Sequence, residues 1–325
     1  KTWDLSRLFA HIGKLYDSVL ENEEELSKIP ISKFDNFLEE GNYPIDLRSN
    51  LFEFFVHEAL EFYCDDDQSS IKPQFAFEIE ADSPALGSID EFLNWKPETL
   101  DSDSCNYKVL RLFQRLLALN EATNNENALI FNNINRLRWA KEVAVGEEKT
   151  ERYITALKQL ANEYPNNQYV AMAMFWVADY YESKYDYVKA VEYAEKAYEK
   201  WPDSIGGKKA YNLIESIKLP AISYSTEKIL NSNTSKIKIG YKNLNHAYFR
   251  LVKRTEKDIL ENKSTEGDNY NNSDVESFIA AAPAYSFDVE LEPQSDYQFH
   301  YKEIDLPKVA KGFYWLIGSA NSEFS

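Results

Sequence analysis

Hydrophobic positions in the first 218 residues mostly recur every three or four residues, which is the spacing of one face of a helix. The first such run contains Leu5, Leu8, Phe9, Ile12, Leu15, Tyr16 and Val19. Similar runs predict helices over residues 49–63, 106–123 and 126–144. Between residues 65 and 104, Pro, Gly, Asp and Ser interrupt the pattern, which predicts loops with one short strand over 75–80.

From residue 150 the helical pattern becomes regular. It predicts four helices of similar length, joined by short turns that contain Pro165, Tyr185-Asp186 and Pro202. The predicted helices are residues 150–163, 168–183, 187–200 and 204–217. Helices of this length with turns this short form antiparallel hairpins.

After Leu219-Pro220 the hydrophobic period changes from about 3.6 residues to 2. The alternating segments are AISYST, Ile237–Tyr241, AYFRLVKR, Tyr285–Leu291, Tyr297–Tyr301 and Phe313–Ile317. About six such strands predict an antiparallel, Ig-like β-sandwich with one face of each sheet buried. The predicted fold class is therefore multidomain, with a helical region followed by a β-sandwich. We expect a helical acidic domain over 1–146, helical hairpins over 147–218 and the sandwich over 219–325.

Small residues in the predicted hairpins follow a recognisable spacing. Ala178, Tyr181, Ala190, Ala197 and Pro202 match all five positions of a pattern that resembles the tetratricopeptide repeat family. The preceding copy, which would end at Pro165, is degenerate. Because neighbouring helices meet at such alanines, we expect them to be buried packing residues and not a binding site.

Acidic residues dominate the first segment of the chain. Residues 1–146 carry 14 Lys and Arg against 27 Asp and Glu, which places −13 of the net charge of −18 there. An acidic surface repels nucleic acid and anionic lipid, so we expect neither as a partner. No apolar run reaches the length of a membrane span, which predicts no insertion into a membrane.

The sequence contains no recognisable catalytic or metal-binding motif. The histidines at positions 11, 57, 246 and 300 are never within helical reach of one another, and Cys64 and Cys105 match neither a metal site nor a redox pair. These cysteines are either two thiols or one disulfide. Asp65-Asp66-Asp67 lacks the spacing of an EF-hand, so a solvated turn is a simpler interpretation than calcium binding. We therefore predict no enzyme activity, no catalytic, cofactor-binding or metal-binding residues, and no cofactor.

Four tyrosines at positions 180, 181, 185 and 187 are close together in the predicted hairpins. They either line a binding groove or belong to the core of the repeat, and the second interpretation is the simpler one. A groove would favour a free-standing tetratricopeptide adaptor that binds a peptide or a glycan.

Three stretches, the first spanning the change of hydrophobic period and the other two after it, carry a second resemblance. They are YNLIESIKLPAISYSTEK, YKNLNHAYFRLVKR and LPKVAKGFYWLIGSANSEFS. Together with the order of the segments, they resemble the amino-terminal part of bacterial alpha-2-macroglobulin-like proteins, in particular the large secreted ones of Bacteroidetes. In that family a helical, tetratricopeptide-like segment precedes a series of macroglobulin-type β-sandwiches. Neither Cys64 nor Cys105 matches the Cys-x-Glu-Gln thioester of the family.

The resemblance implies a non-catalytic scaffold with a role in protease inhibition, in the periplasm or at the cell surface. Its partner would be a protein, such as a protease, or downstream domains of the same chain. The chain opens on Lys1, and we expect it to be a processed piece of a longer protein. Because the chain stops directly after the last predicted strand, we also expect an exposed sheet edge near residues 313–320.

Two rival functions remain open. One is the adaptor described above, with a sandwich appended to its repeats. The other is a set of accessory domains of a secreted hydrolase, for which a pocket with two carboxylates at catalytic separation would be the evidence.

Overall fold

The computed structural model describes residues 4–38, 44–64, 75–227, 235–255, 276–277 and 279–324. Within these ranges, ten α-helices come before Pro220 and six β-strands come after it. The predicted change of structure at Leu219-Pro220 is confirmed, because the last helix ends at Lys218 and the first strand begins at Ala221. Proline ends the helix there, since it has no N–H to donate and disfavours the helical conformation of the residue before it.

The helices agree with the predicted ones to within two residues wherever both bounds were predicted. They are α1 (Leu5–Leu20), α2 (Glu23–Leu26), α3 (Leu51–Cys64), α4 (Ile89–Asn94), α5 (Cys105–Ala122), α6 (Glu126–Val143), α7 (Lys149–Glu163), α8 (Val170–Ser183), α9 (Tyr187–Lys200) and α10 (Ile205–Lys218). The short helices α2 and α4 are additions to the prediction.

In residues 75–104 the structure differs from the predicted loops and short strand. Residues 75–80 form no strand, and a single bridge pairs Glu80 with Val145. Helix α4 forms because the Ser88 hydroxyl accepts the N–H of Glu91, while the Glu91 carboxylate accepts the N–H of Ser88. This capping box is visible in the sequence as Ser-x-x-Glu, and it is the signal that identifies the helix.

The predicted apolar face of α1 is only partly buried. Tyr16 packs against Phe62 of α3, with ring centroids 5.5 Å apart. Leu5, Leu8 and Leu15 are exposed. The spacing therefore predicts the helix correctly but overestimates its buried face, because among the described helices only α3 makes extensive contact with α1.

Small residues allow the last helices to pack closely. Ala178, Ala190 and Ala197 are fully buried, which confirms the expectation that they are packing residues. Gly206 lies in the first turn of α10, where a Cβ atom would overlap the backbone nitrogen of Met172 in the first turn of α8. Glycine at 206 is therefore what allows these two helices to touch at their N-termini.

Replacing Ala190 by Leu is expected to lower the free energy of unfolding by about 1–3 kcal/mol, because the buried site has no room for three more carbon atoms. Urea denaturation measures this change. Val188→Leu is the matched control, since Val188 lies on the same helix and is 50% exposed. An unchanged unfolding midpoint for Ala190→Leu would contradict the packing assigned to this alanine.

The described residues after Pro220 form two antiparallel three-stranded sheets. The strands are β1 (Ala221–Thr226), β2 (Lys236–Lys242), β3 (His246–Arg254), β4 (Tyr285–Glu290), β5 (His300–Asp305) and β6 (Phe313–Ser319). One sheet has the order β1-β2-β5 and the other has the order β4-β3-β6. Alternate residues from both sheets share one core, which includes Ile237 and Ile239 from β2 and Ala247 and Phe249 from β3. The predicted two-layer arrangement is confirmed.

The strand predicted over residues 297–301 is wrong at its start, because β5 begins at His300. Tyr297 has a left-handed backbone with φ of 58°, which no strand residue adopts. Asp296 holds this turn by accepting the N–H of Gln298 and by bonding to His300 Nε2 at 2.9 Å.

The chain divides into two compact units by its internal contacts. The first comprises residues 1–183 and 192–211, and the second comprises residues 184–191 and 212–325. The helical core lies in the first unit and the core of the sandwich lies in the second. The domain boundaries expected at residues 146 and 218 stay predictions.

Candidate functional site

The two cysteines are separate thiols in the structure, which corresponds to the first of the two alternatives stated above. Cys64 is exposed at the end of α3, whereas Cys105 is half-buried at the start of α5. Burial raises the pKa of the Cys105 thiol, which makes it a poorer nucleophile at neutral pH.

The four histidines lie on four different elements, α1, α3, β3 and β5. His57 is buried in α3, while His246 lies 3.9 Å from Asp288 and His300 lies 2.9 Å from Asp296. Within the described ranges, no three His, Cys, Asp or Glu side chains are grouped so that they could hold a metal ion. Asp65-Asp66-Asp67 lies outside the described residues.

Two of the four tyrosines considered for a groove belong to the helical core. Tyr180 and Tyr181 pack against the helical core, and Tyr181 stacks on Tyr193 with centroids 5.6 Å apart and planes 11° apart. Lys158 bonds to the Tyr181 hydroxyl at 3.0 Å. Tyr185 and Tyr187 belong to the other compact unit. The simpler interpretation, repeat core, holds for Tyr180 and Tyr181.

A cleft of about 280 Å³ lies beside α1, α3 and α5. Two acidic residues line it, Asp17 and Asp103, together with three basic ones on α5. Lys108 lies 3.6 Å from Asp17, and Arg115 lies 2.9 Å from Glu23. These ion pairs join α5 to the helices at the N-terminus, so we interpret the cleft as a packing feature.

A half-buried side of α8 presents a different arrangement, which we call the α8 face. It consists of Phe175, Trp176 and Asp179 of α8, with Arg138 of α6 and Lys209 of α10. The three α8 residues share one side of the helix because they lie three and four positions apart. The rings of Phe175 and Trp176 meet edge to face, with centroids 5.1 Å apart.

A cationic side chain lies over each aromatic ring of the α8 face. The guanidinium carbon of Arg138 lies 4.0 Å from the Trp176 ring, and Lys209 Nζ lies 5.4 Å from the centroid of Phe175. The face of an aromatic ring is negative, so both contacts are attractive. Gly206 contributes to this geometry, because the contact it allows sets Lys209 beside Phe175.

Asp179 lies among these cations. Partial burial raises the pKa of its carboxyl, while the positive charges of Arg138, Lys141 and Lys209 act in the opposite direction. No hydrogen bond to the Asp179 carboxylate is formed within the described part of the chain. Lys141 is engaged with Glu142 at 2.8 Å. The α8 face therefore offers two cations, two aromatic rings and one unused acceptor in a chain whose net charge is −18.

Sequence reasoning missed these residues. It selected the tyrosines of 180–187 because they are dense along the chain, whereas the α8 face depends on which side of α8 lies between α6 and α10. No local signal sets them apart, because Phe175 lies four residues after Ala171 and three residues before Ala178, both of which are fully buried.

Comparison with family models, with curated proteins and with solved structures found no match to this chain. The family resemblances noted in the sequence therefore rest on the quoted residues alone. None of the described helices is both long and apolar enough to cross a membrane.

Proposed function

We propose that the chain is a non-catalytic scaffold that binds an acidic, partly apolar segment of another protein on the α8 face. The observation that carries this proposal is the pair of cation-capped aromatic rings beside Asp179. The chain as a whole is strongly acidic, so a local excess of positive charge there favours an anionic partner.

The chemistry of the α8 face determines what such a segment contains. The guanidinium carbon of Arg138 lies 4.0 Å from the Trp176 ring, and a guanidinium can pair with a carboxylate through two parallel N–H bonds. Phe175 and Trp176 provide apolar area for a neighbouring aliphatic or aromatic side chain. The Asp179 carboxylate accepts one backbone N–H of the segment, which fixes its position.

The wider role that fits best is a scaffold segment of an alpha-2-macroglobulin-like protein, with a role in protease inhibition at the cell envelope. Its support is the order of a helical region and a β-sandwich, together with the three quoted stretches. The α8 face equally supports the alternative of a free-standing adaptor. The parent gene distinguishes the two: we expect further β-sandwiches in series downstream of residue 325, and an adaptor would have none.

Binding is tested with a fluorescein-labelled peptide of sequence EDFELDE with blocked ends, titrated with the whole chain and followed by fluorescence anisotropy. Arg138→Ala and Lys209→Ala are each expected to weaken binding about fivefold or more, since each removes a charge partner. Raising the salt concentration from 50 to 500 mM, chosen to span strong screening, is expected to weaken it further.

The matched peptide control is QNFQLNQ, which keeps the shape and removes the charge. The matched protein control is Arg111→Ala, because Arg111 is an exposed arginine of α5 far along the chain from the α8 face. Equal binding of both peptides, or equal loss with Arg111→Ala, would contradict the proposal.

A further inference from the structure

Strand β6 forms one edge of its sheet. It pairs with β3 on one side, and within the described ranges no strand pairs with its other side. An edge was expected near residues 313–320, and its position is confirmed. The edge is not bare, however, because a side chain from the other sheet lies on it.

The backbone groups that point away from β3 belong to alternate residues. In an antiparallel pair, the N–H and C=O of one residue face the partner strand and those of the next face away. In β6 the outward residues are Tyr314, Leu316 and Gly318, as the bonds of Leu316 and Gly318 to a side chain outside the sheet show.

That side chain is Tyr224 of β1. Its hydroxyl donates to the carbonyl oxygen of Leu316 at 3.2 Å and accepts the N–H of Gly318 at 2.9 Å. A Cβ atom at position 318 would overlap the Tyr224 ring, so glycine is what allows the ring to lie against the strand. One hydroxyl thus occupies two of the outward groups of β6, in the way that a neighbouring strand would.

The remaining edges of the two sheets are protected differently. β4 carries Asp288 and Glu290, and β5 carries Lys302, Glu303 and Asp305. Charged side chains on an edge discourage the addition of another strand. β1 is uncharged but rich in Ser and Thr, whereas β6 has the sequence FYWLIGS, with neither charge nor proline, and its Phe313 is 62% exposed.

We infer that β6 is a docking edge for an extended, uncharged segment of another protein, which displaces the Tyr224 hydroxyl and adds a strand beside β6. The outward N–H and C=O groups of residues 314, 316 and 318 are spaced to pair with the backbone of an extended segment, and a compact ligand could not reach all of them. The occupant is another protein and not a second copy, because pairing two copies would bring together two chains of net charge −18. This inference is independent of the α8 face.

The probe is a 15N-labelled sample of the whole chain titrated with the neutral peptide acetyl-TVTVTVT-amide, with hydrogen exchange of single amides read by NMR. We expect slower exchange at the amides of Tyr314 and Leu316. Tyr224→Phe removes the competing hydroxyl, so the peptide is expected to bind about fivefold more tightly and also to protect the amide of Gly318.

Tyr241→Phe is the matched control, since the Tyr241 hydroxyl on β2 donates to the carbonyl oxygen of Glu292 and not to β6. It is expected to leave the affinity unchanged. One N-methylated peptide completes the test: methylation of every residue is expected to abolish binding, because no N–H group is then left to bond to the outward carbonyl oxygens of β6.

Three results would overturn the inference. They are absence of protection at residues 314–318 in both proteins, undiminished binding of the N-methylated peptide, and a dimer of the chain whose interface is β6. The last is read from light scattering of the wild-type chain and of Tyr224→Phe.

Discussion

Replacing Arg136 by Ala is expected to lower the free energy of unfolding by about 3–5 kcal/mol, the largest effect of any substitution considered for this chain. Arg136 is fully buried in α6. Its guanidinium donates to the carbonyl oxygens of Ala85 at 2.9 Å and Gly87 at 3.0 Å, and to Asn133 Oδ1. The alanine variant leaves these acceptors buried without a donor and opens a cavity above Phe92, over which the guanidinium lies at 4.6 Å.

Burial also lowers the pKa of Arg136 to about 9, so the side chain is still charged at neutral pH. Within the described structure no carboxylate bonds to the Arg136 guanidinium, and backbone carbonyl oxygens accept its hydrogen bonds instead. Chemical denaturation of Arg136→Ala measures the loss. Arg138→Ala is the matched control, because Arg138 lies two residues on and is exposed, and we expect it to cost less than about 1 kcal/mol. Equal losses in the two variants would contradict the structural role of Arg136.

Stability is expected to fall as the pH is lowered below about 6.5, because of His57. Burial lowers the pKa of His57 to about 3 in the folded chain, and the nearby positive charge of Arg48 adds to this. In the unfolded chain the pKa is 6.5. Between these values the unfolded chain binds more protons, so protonation favours unfolding by about 1.4 kcal/mol per pH unit. At pH 4.5 the expected loss from this residue is roughly 2–3 kcal/mol.

The measurement is urea denaturation of the wild type and His57→Leu at pH 4.5, 5.5 and 7.5. The variant is expected to lack this part of the pH dependence. The difference in free energy of unfolding between the wild type and His57→Leu therefore shrinks or reverses at low pH. His11→Leu is the control, since His11 is exposed on α1. Parallel pH profiles for the wild type and His57→Leu would show that His57 does not control this loss.

The helices and strands of this chain are predictable from its sequence because they depend on local periodicity. α7 to α10 and the change at Pro220 follow from spacing and from one proline. α4 was missed because a six-residue helix has too few turns to show a period, although its capping box at 88–91 is visible. The start of β5 was misplaced because the left-handed turn at Tyr297 interrupts an alternation that continues through it.

The candidate sites are predictable only in part, because they join elements that are distant along the chain. Nothing in the sequence near Arg138 indicates Trp176, and nothing near Tyr224 indicates Gly318, 94 residues away. The sequence does place a glycine at each close approach, at 206 and 318. A glycine inside a helix or strand that no local turn requires therefore indicates a close contact, although only the folded structure identifies the partner.

The most direct test of the proposed binding function is hydrogen–deuterium exchange of the whole chain with and without a saturating amount of the EDFELDE peptide. We expect slower exchange only in peptides that cover the facing parts of α6, α8 and α10, around residues 138, 175–179 and 209, and we expect this protection to be lost in Arg138→Ala. No protection anywhere, or protection confined to α1, α3 and α5 around the other cleft, would contradict it.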